Sequence, residues 1–224
     1  MKPIVITIDG PAGAGKSTVS RAVAQQLGYR YVDTGAMYRV IGVLAAERGI
    51  ELDDADQLAA LCDAVAITFE SDQGRVITRA DGRDVSDLIR SGAAGQLASK
   101  VSTVPAVRER LVAAQRRLGV GGGVVMEGRD IGTVVFPDAP LKIFLDASPA
   151  ERARRRAAEL QARGETVDVI AMERDIAERD ARDRSRAHSP LRAAPDAQVV
   201  DSTARPVDAI VTELVTLAQT IERA

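Results

Sequence analysis

Short runs of apolar, often β-branched residues alternate along the chain with longer segments whose apolar positions recur every three or four residues. The first run, Ile4-Val5-Ile6-Thr7-Ile8, is typical of a strand that is buried on both faces. The segment 18–27 places Val19, Val23 and Leu27 on one side, which predicts an amphipathic helix. Similar runs predict strands at 29–33, 124–126, 141–145 and 198–201, and similar periodic segments predict helices at 36–48 and 206–223.

This order of elements indicates the class of fold. Parallel strands need long crossover connections, which are usually helices. We therefore expect an α/β fold in which three layers, α/β/α, are built on a parallel sheet of five strands.

One segment, 64–87, departs from this pattern. Val65, Ile67 and Phe69 alternate with other residues, a turn is predicted at 72–74, and Asp81-Gly82 is a hairpin signal after a second strand at 76–79. We interpret this as a small antiparallel β insert, followed by helices from 88 to 118 that break near Pro105. The predicted division is a core at 1–60 and 119–224 and an insert subdomain at about 61–118.

Composition excludes several classes of function. Hydrophobic residues make up 46% and charged residues 28%, the net charge is −2, and aromatic residues are 3%. These values favour a globular protein and argue against nucleic-acid binding. One cysteine and one histidine leave no disulfide and no histidine-pair metal site, and the chain has neither a long apolar run nor a signal-peptide pattern. We expect a cytoplasmic protein that does not contact membranes.

The turn between the first strand and the first helix carries the strongest motif. It reads Gly10-Pro11-Ala12-Gly13-Ala14-Gly15-Lys16-Ser17, which matches G-x-x-x-x-G-K-[ST] at every fixed position. Such a loop curls so that backbone N–H groups point at an anion, and the helix N-terminus adds further donors. Lys16 would contact the β- and γ-phosphates of a triphosphate, and Ser17 would offer a hydroxyl ligand to Mg²⁺.

A phosphate-binding loop alone leaves several functions open. GTP-dependent switches share an Asn-Lys-x-Asp motif, and this chain contains no asparagine. A kinase for a small acceptor and an adaptor that only binds ATP remain. The kinase needs a second anion site, whereas the adaptor does not.

Two further segments could form that second site. Asp33-Thr34-Gly35-Ala36-Met37-Tyr38-Arg39 begins at the end of the second strand, so Thr34 could cap a helix and Arg39 could contact a phosphate. Glu127-Gly128-Arg129-Asp130 follows the third strand, so Arg129 could bind a phosphate and Asp130 could accept from an amino group. The alternatives are a plain helix cap with a surface arginine and an ion pair within a turn.

Two arginine-rich helices are open to similar alternatives. Arg179, Asp183 and Arg186 recur at helical spacing and could bind a sugar and a phosphate, or could form part of a solvated face. Ser148-Pro149-Ala150-Glu151 predicts a capping box at the start of a second helix. Its arginines could contact a transferred phosphoryl group, or could belong to an ordinary amphipathic helix. They are Arg152, Arg154, Arg155 and Arg156.

The chain resembles bacterial cytidylate kinases over essentially its whole length, and several long segments carry the resemblance. They are Ile8-Asp9-Gly10-Pro11 and the segments 33–39, 127–139, 142–147 and 179–191. The resemblance implies a P-loop NTPase-type fold and a kinase that uses ATP and Mg²⁺ to phosphorylate CMP and dCMP. A different monophosphate acceptor is the alternative. The resemblance also implies a monomer, with a lid over ATP at about 148–172.

The resemblance also implies roles for single residues. ATP would be bound by 10–18, a range that ends at Thr18. The acceptor phosphate would be bound by Thr34, Arg39 and Arg129, and the cytosine would be read by Ser99, Arg108 and Asp130. Arg179 and Asp183 would reach the sugar, with Arg186 close to the acceptor. The catalytic set implied is Lys16, Arg129 and Arg186.

Overall fold

A computed structural model describes residues 2–72, 75–162, 164, 166–186 and 189–223, without the side chains of 71, 72 and 75. The chain divides into two compact units. The first comprises Met1–Tyr31 and Gly119–Ala224, and the second comprises Val32–Leu118. The earlier division into core, insert subdomain and lid is a functional one and stays a prediction.

The strands of the described residues form two sheets. They are β1 Val5–Asp9, β2 Arg30–Asp33, β3 Ile67–Asp72, β4 Arg75–Ala80, β5 Arg83–Asp84, β6 Val124–Gly128, β7 Leu141–Asp146 and β8 Gln198–Asp201. The larger sheet has five strands in the order β2-β6-β1-β7-β8, and β1 pairs in parallel with both β6 and β7. The predicted parallel α/β sheet is therefore confirmed.

The described helices lie between strands, singly or in pairs, and the last helix follows β8. They are α1 Lys16–Leu27, α2 Thr34–Glu47, α3 Ala55–Ala64, α4 Gly92–Val101, α5 Pro105–Leu118, α6 Pro149–Gln161, α7 Val169–Ser185 and α8 Val207–Arg223. Short 3₁₀ and π-helical turns occupy Leu88–Arg90 and Ile131–Val135. None of the described helices is long and apolar enough to cross a bilayer.

The core of the first unit supports the loop between β1 and α1. Ile6 and Ile8 of β1 pack with Ile143 and Leu145 of β7, and α1 and α8 cover this cluster with apolar side chains such as Leu214. Burial of these branched side chains drives the assembly, because each contributes about 1.5–3 kcal/mol when it leaves water. The loop after β1 is therefore attached to the central strand of the sheet.

Among its described residues, the second unit contains the insert and the helices α2 to α5. β4 pairs antiparallel with β3 and with β5, and the last turn contains Asp81 at a positive φ of 49°. The predicted antiparallel insert is confirmed. Of its first predicted turn, Gln73 and Gly74 lie outside the described residues.

One local prediction was wrong, and two elements were not predicted. The helix α3 was not predicted, nor was the π-helical turn at Ile131–Val135. Asp33 rather than Thr34 caps α2, since its carboxylate accepts from the N–H of Ala36 at 3.0 Å. An aspartate one residue earlier has the reach to satisfy a free donor of the first turn.

The predicted cap of α6 is partly confirmed. Ser148 accepts from the N–H of Glu151, and Pro149 occupies the first helical turn. The reciprocal half of the capping box is wrong, because the N–H of Ser148 donates to Thr203 instead. The carboxylate of Glu151 is taken by Arg154 and Arg155.

Candidate active site

The loop between β1 and α1 has the conformation of an anion-binding cradle. Gly13 and Gly15 have positive φ angles of 78° and 87°, a region that disfavours side chains. Gly15 caps α1 without a side-chain hydrogen bond, so the helix keeps its first N–H groups available for an anion. The motif read from the sequence thus lies where its physics requires, at a strand end and a helix start.

Lys16 is buried at the start of α1. Its ammonium group donates to the carbonyl of Pro11 at 2.7 Å. Burial, together with the nearby cation of Arg129, lowers the pKa of Lys16 to about 7. A bound polyphosphate would supply negative charge at this point and would favour the ammonium form.

Asp9, the last residue of β1, is a buried carboxylate that connects two loops. It accepts hydrogen bonds from the N–H groups of Ile131 at 2.8 Å and Gly132 at 2.7 Å. These two residues open the π-helical turn that directly follows Arg129 and Asp130. Asp9 therefore fixes the segment that carries two predicted substrate ligands.

An acidic residue of α7 forms ion pairs with arginines from two parts of the first unit. Asp183 accepts from the guanidinium of Arg129 at 3.1 Å and forms an ion pair with Arg186. Burial opposes ionisation of Asp183, yet Arg129, Arg186 and Arg179 together hold its pKa below the ordinary value. The solvated-face interpretation of this stripe is wrong, because the side chains of Asp183 and Arg186 are only 2% and 11% exposed. The geometry produces a cationic cluster with one central carboxylate.

In the second unit, two predicted site residues lie at the start of α2, next to the cap residue Asp33. Thr34 is buried as the first residue of the helix, and Arg39 forms an ion pair with the cap residue Asp33. An arginine one turn above a helix N-terminus can accept a phosphate by exchanging partners.

Ser99 and Arg108, the predicted base-reading residues of the second unit, are both buried. The guanidinium of Arg108 lies 5.8 Å from the ring centre of Tyr38 and donates to the carbonyl of Ser102. A cation held over an aromatic face in this way keeps a defined orientation. Tyr38 was not singled out from the sequence.

The arginines of α6 differ in their surroundings. The side chain of Arg154 is 70% exposed and pairs with Glu151, and Arg156 pairs with Glu159. These two fit an ordinary amphipathic helix. Arg152 is buried instead, and both Arg152 and Arg155 donate to backbone carbonyls of the phosphate-binding loop.

Sequence reasoning missed two buried carboxylates of this region, Asp9 and Glu127. Glu127 lies in β6 beside Ile8 of β1 and accepts from the hydroxyl of Tyr31. Asp9 is the last residue of β1 and Glu127 the last but one of β6, and acidic residues at the ends of buried strands are a signal that the sequence contains. The described residues include no cluster of three or more potential metal-binding side chains.

The chain is similar in sequence to known cytidylate kinases. The sequence model of the family "Cytidylate kinase" matches residues 6–220. The cytidylate kinase of Pelotomaculum thermopropionicum is 52% identical over 94% of this chain and 93% of its own length. That of Desulfitobacterium hafniense is 48% identical over 96% and 93% of the two chains. A crystal structure of an uncharacterized protein from Eubacterium ventriosum, 11% identical, covers 97% of this chain and 99% of its own with a TM-score of 0.53, which shows a similar fold.

The parallel sheet, the loop after β1 and the arginine cluster define a P-loop phosphotransferase. The match over most of the chain makes the assignment narrower: the chain belongs to the cytidylate kinase family, and it is a nucleoside monophosphate kinase that uses ATP.

Proposed function

We propose that this enzyme transfers the γ-phosphoryl group of ATP to CMP, and also to dCMP, by in-line displacement. The observation that supports this most directly is the pairing of a phosphate-binding loop with a separate arginine cluster around Asp183. Two anionic substrates repel each other, so an enzyme of this kind must neutralise and align them. A single anion site would suffice for an adaptor that only binds ATP.

The donor half of the reaction belongs to the loop at 10–18. Its N–H groups and the N-terminus of α1 would bind the β-phosphate. Lys16 would contact the γ-phosphate and stabilise the negative charge that develops on the leaving oxygen during transfer. Lys16 already lies against the loop through Pro11, so little reorganisation is needed. Such preorganised charge is the main source of rate enhancement in phosphoryl transfer.

Mg²⁺ fits the donor groups at this place. Ser17 offers a hydroxyl oxygen, a hard ligand, in the first turn of α1. Because the described residues hold no three-carboxylate cage, the metal would share its coordination with nucleotide phosphates and water, as Mg²⁺ usually does. When bound, Mg²⁺ neutralises charge on the phosphates.

Thr34, Arg39 and Arg129 would bind the acceptor phosphate, with Arg186 close to the acceptor. The ion pairs of these arginines with Asp183 and Asp33 keep them oriented before substrate arrives. No general base is needed, because the 5′-phosphate of a nucleotide is already ionised at neutral pH. Contact of Arg179 and Asp183 with the sugar stays a prediction.

Cytosine would be read by Asp130, Ser99 and Arg108. The exocyclic amino group of cytosine is a donor that uracil lacks, and the buried carboxylate of Asp130 is an acceptor for it. A site built for one hydrogen-bond pattern rejects a base that leaves its polar groups unpaired.

A coupled ADP-release assay with a panel of acceptors tests the proposal. We expect turnover with CMP and dCMP, weaker turnover with UMP, and none with AMP, GMP or ATP alone. Preference for another monophosphate would indicate the alternative kinase, and no turnover with any acceptor would leave an ATP-binding adaptor. We further propose that the enzyme acts as a cytoplasmic monomer on free nucleotides and not on nucleic acid, which light scattering and a gel-shift assay would check.

A further inference from the structure

The phosphate-binding loop is held from behind by α6. A loop that directs its N–H groups inward at an anion must direct carbonyl groups outward, where they need donors. Arg152 donates to the carbonyl of Ala12 at 3.2 Å, and Arg155 donates to that of Ala14 at 3.4 Å. A Cβ atom built on Gly13 would lie 2.9 Å from the Cβ of Arg152, so the loop and the helix are in direct contact.

The guanidinium of Arg152 is fixed on three sides. Besides Ala12, it donates to the carbonyl of Ala147 at 3.0 Å and forms an ion pair with Asp180 at 2.6 Å. The side chains of Arg152 and Asp180 are only 3% and 4% exposed. Asp180 belongs to α7, so this pair connects the loop to both helices of the segment.

A second contact supports the neighbouring carbonyl. The hydroxyl of Ser202 donates to the carbonyl of Ala14 at 2.9 Å, and Arg155 donates to both oxygens of Ser202. Two outward carbonyls of the loop therefore receive donors from α6 or from a side chain bonded to α6.

We propose that Arg152, held by Asp180, is a positioning residue that keeps the loop at Ala12 and Gly13 in its phosphate-binding conformation. The proposal deepens the proposed function, since it concerns the donor site of the same reaction. Arg152 acts through the backbone of the loop rather than on a phosphate. This differs from the expectation that the arginines of α6 contact the transferred group.

The buried ion pair of Arg152 and Asp180 can be replaced as a unit, and this allows its effect on loop position to be measured separately from its effect on stability. Replacing such a pair by apolar residues of similar size often leaves stability unchanged or improves it, whereas removing one partner is destabilising. The double variant Arg152→Met with Asp180→Leu should therefore fold, but it cannot donate to Ala12. The stability of this variant should therefore stay close to that of the parent, while its loop should lose the hydrogen bond that positions Ala12.

The experiment compares the parent and the double variant by calorimetric titration with ATP, by thermal unfolding, and by kinetics with CMP. We expect a thermal midpoint close to that of the parent, a Kd for ATP raised about tenfold or more, and a KM for CMP within about twofold. The matched control is Arg79→Met with Glu70→Leu, an exposed ion pair in the three-stranded sheet, which should keep the parent's Kd for ATP. Parental affinity for ATP in the double variant would overturn the proposal.

If the double variant does not fold, Arg152→Lys decides the question. Lysine keeps the charge beside Asp180 but lacks the planar fork that reaches Ala12 and Ala147 together. A folded Arg152→Lys protein with parental affinity for ATP would overturn the proposal, and a raised Kd would support it. Because binding of ATP is measured without an acceptor, a parent enzyme that fails to phosphorylate CMP would refute the proposed function and leave this test intact.

Discussion

The carboxylate of Asp9 accepts a 2.7 Å hydrogen bond from the backbone N–H of Gly132, a residue 123 positions later in the chain. Asp9 ends the strand that leads into the phosphate-binding loop, and Gly132 lies in the turn that follows Arg129 and Asp130. The phosphate-binding loop and the segment predicted to bind the acceptor are thus attached to one buried side chain. Each of the following predictions concerns this region.

Gly132→Ala should damage the acceptor site. A Cβ atom at this position would lie 2.8 Å from the hydroxyl oxygen of Thr7 and 3.4 Å from the carboxylate of Asp9. The turn would have to shift, and Arg129 and Asp130 would shift with it. We expect kcat/KM for CMP to fall about tenfold or more with a smaller change in KM for ATP. Gly92→Ala, where an added Cβ meets no atom within 4 Å, is the control in the same assay.

Stability should depend on pH through Asp9. The pKa of Asp9 is raised to about 7, chiefly by burial and also by Asp130, although the N–H groups of Gly132 and Ile131 and the cation of Lys16 lower it. Above about pH 4 the unfolded chain has lost this proton while the folded protein keeps it. The free energy of unfolding should therefore fall as pH rises toward 7, by up to about 1.4 kcal/mol per pH unit.

Urea unfolding of the parent and of Asp9→Asn at pH 5, 6 and 7 checks this expectation. The asparagine does not titrate, so its profile should be flatter than that of the parent across this range. Parallel profiles for the two proteins would show that Asp9 ionises normally in the folded state.

Lys16→Met should abolish most activity without unfolding the protein. The substitution removes a cation from the transferring phosphates, which typically costs about a hundredfold or more in turnover. It also removes a buried charge, so the free energy of unfolding should stay the same or increase. Steady-state kinetics and urea unfolding measure the two effects, and Lys2→Met, at an exposed lysine, is the control. Normal turnover by Lys16→Met would contradict the assignment of the loop.

Asp130→Asn should change the choice of base. An amide has a weaker acceptor and an added donor, so the amino group of cytosine loses its charged partner. We expect kcat/KM for CMP to fall about tenfold or more, the ratio of CMP to UMP turnover to narrow, and KM for ATP to change little. Asp138→Asn, at an exposed carboxylate in the same segment, is the control. Equal loss toward CMP and ATP would argue against a base-reading role.

Local features of the chain were read correctly from the sequence. The β-branched run at 4–8 predicted β1, and the spacing of glycines, Lys16 and Ser17 predicted the loop and the start of α1. The insert was predicted from alternation and from Asp81-Gly82. Each of these depends on residues within one strand, one turn or one helix, whose backbone preferences act over a few positions.

Partnerships between distant residues could not be read in this way. From the sequence, Asp9 is the polar end of a strand and Asp180 is one of many charged residues on α7. Neither pattern indicates which distant residue the side chain contacts. The cap of α2 was assigned one residue too late, since Asp33 and Thr34 both have capping side chains and only the backbone angles distinguish them.

The sequence by itself thus determined the chemistry of the donor loop, because a helix N-terminus and a curled backbone arise from neighbouring residues. Only the tertiary structure decided what supports that loop: Asp9 reaching Ile131 and Gly132, and Arg152 joined to Asp180. Charged side chains are buried when the fold provides their partners, and those partners come from strands and helices that the sequence separates by tens of residues.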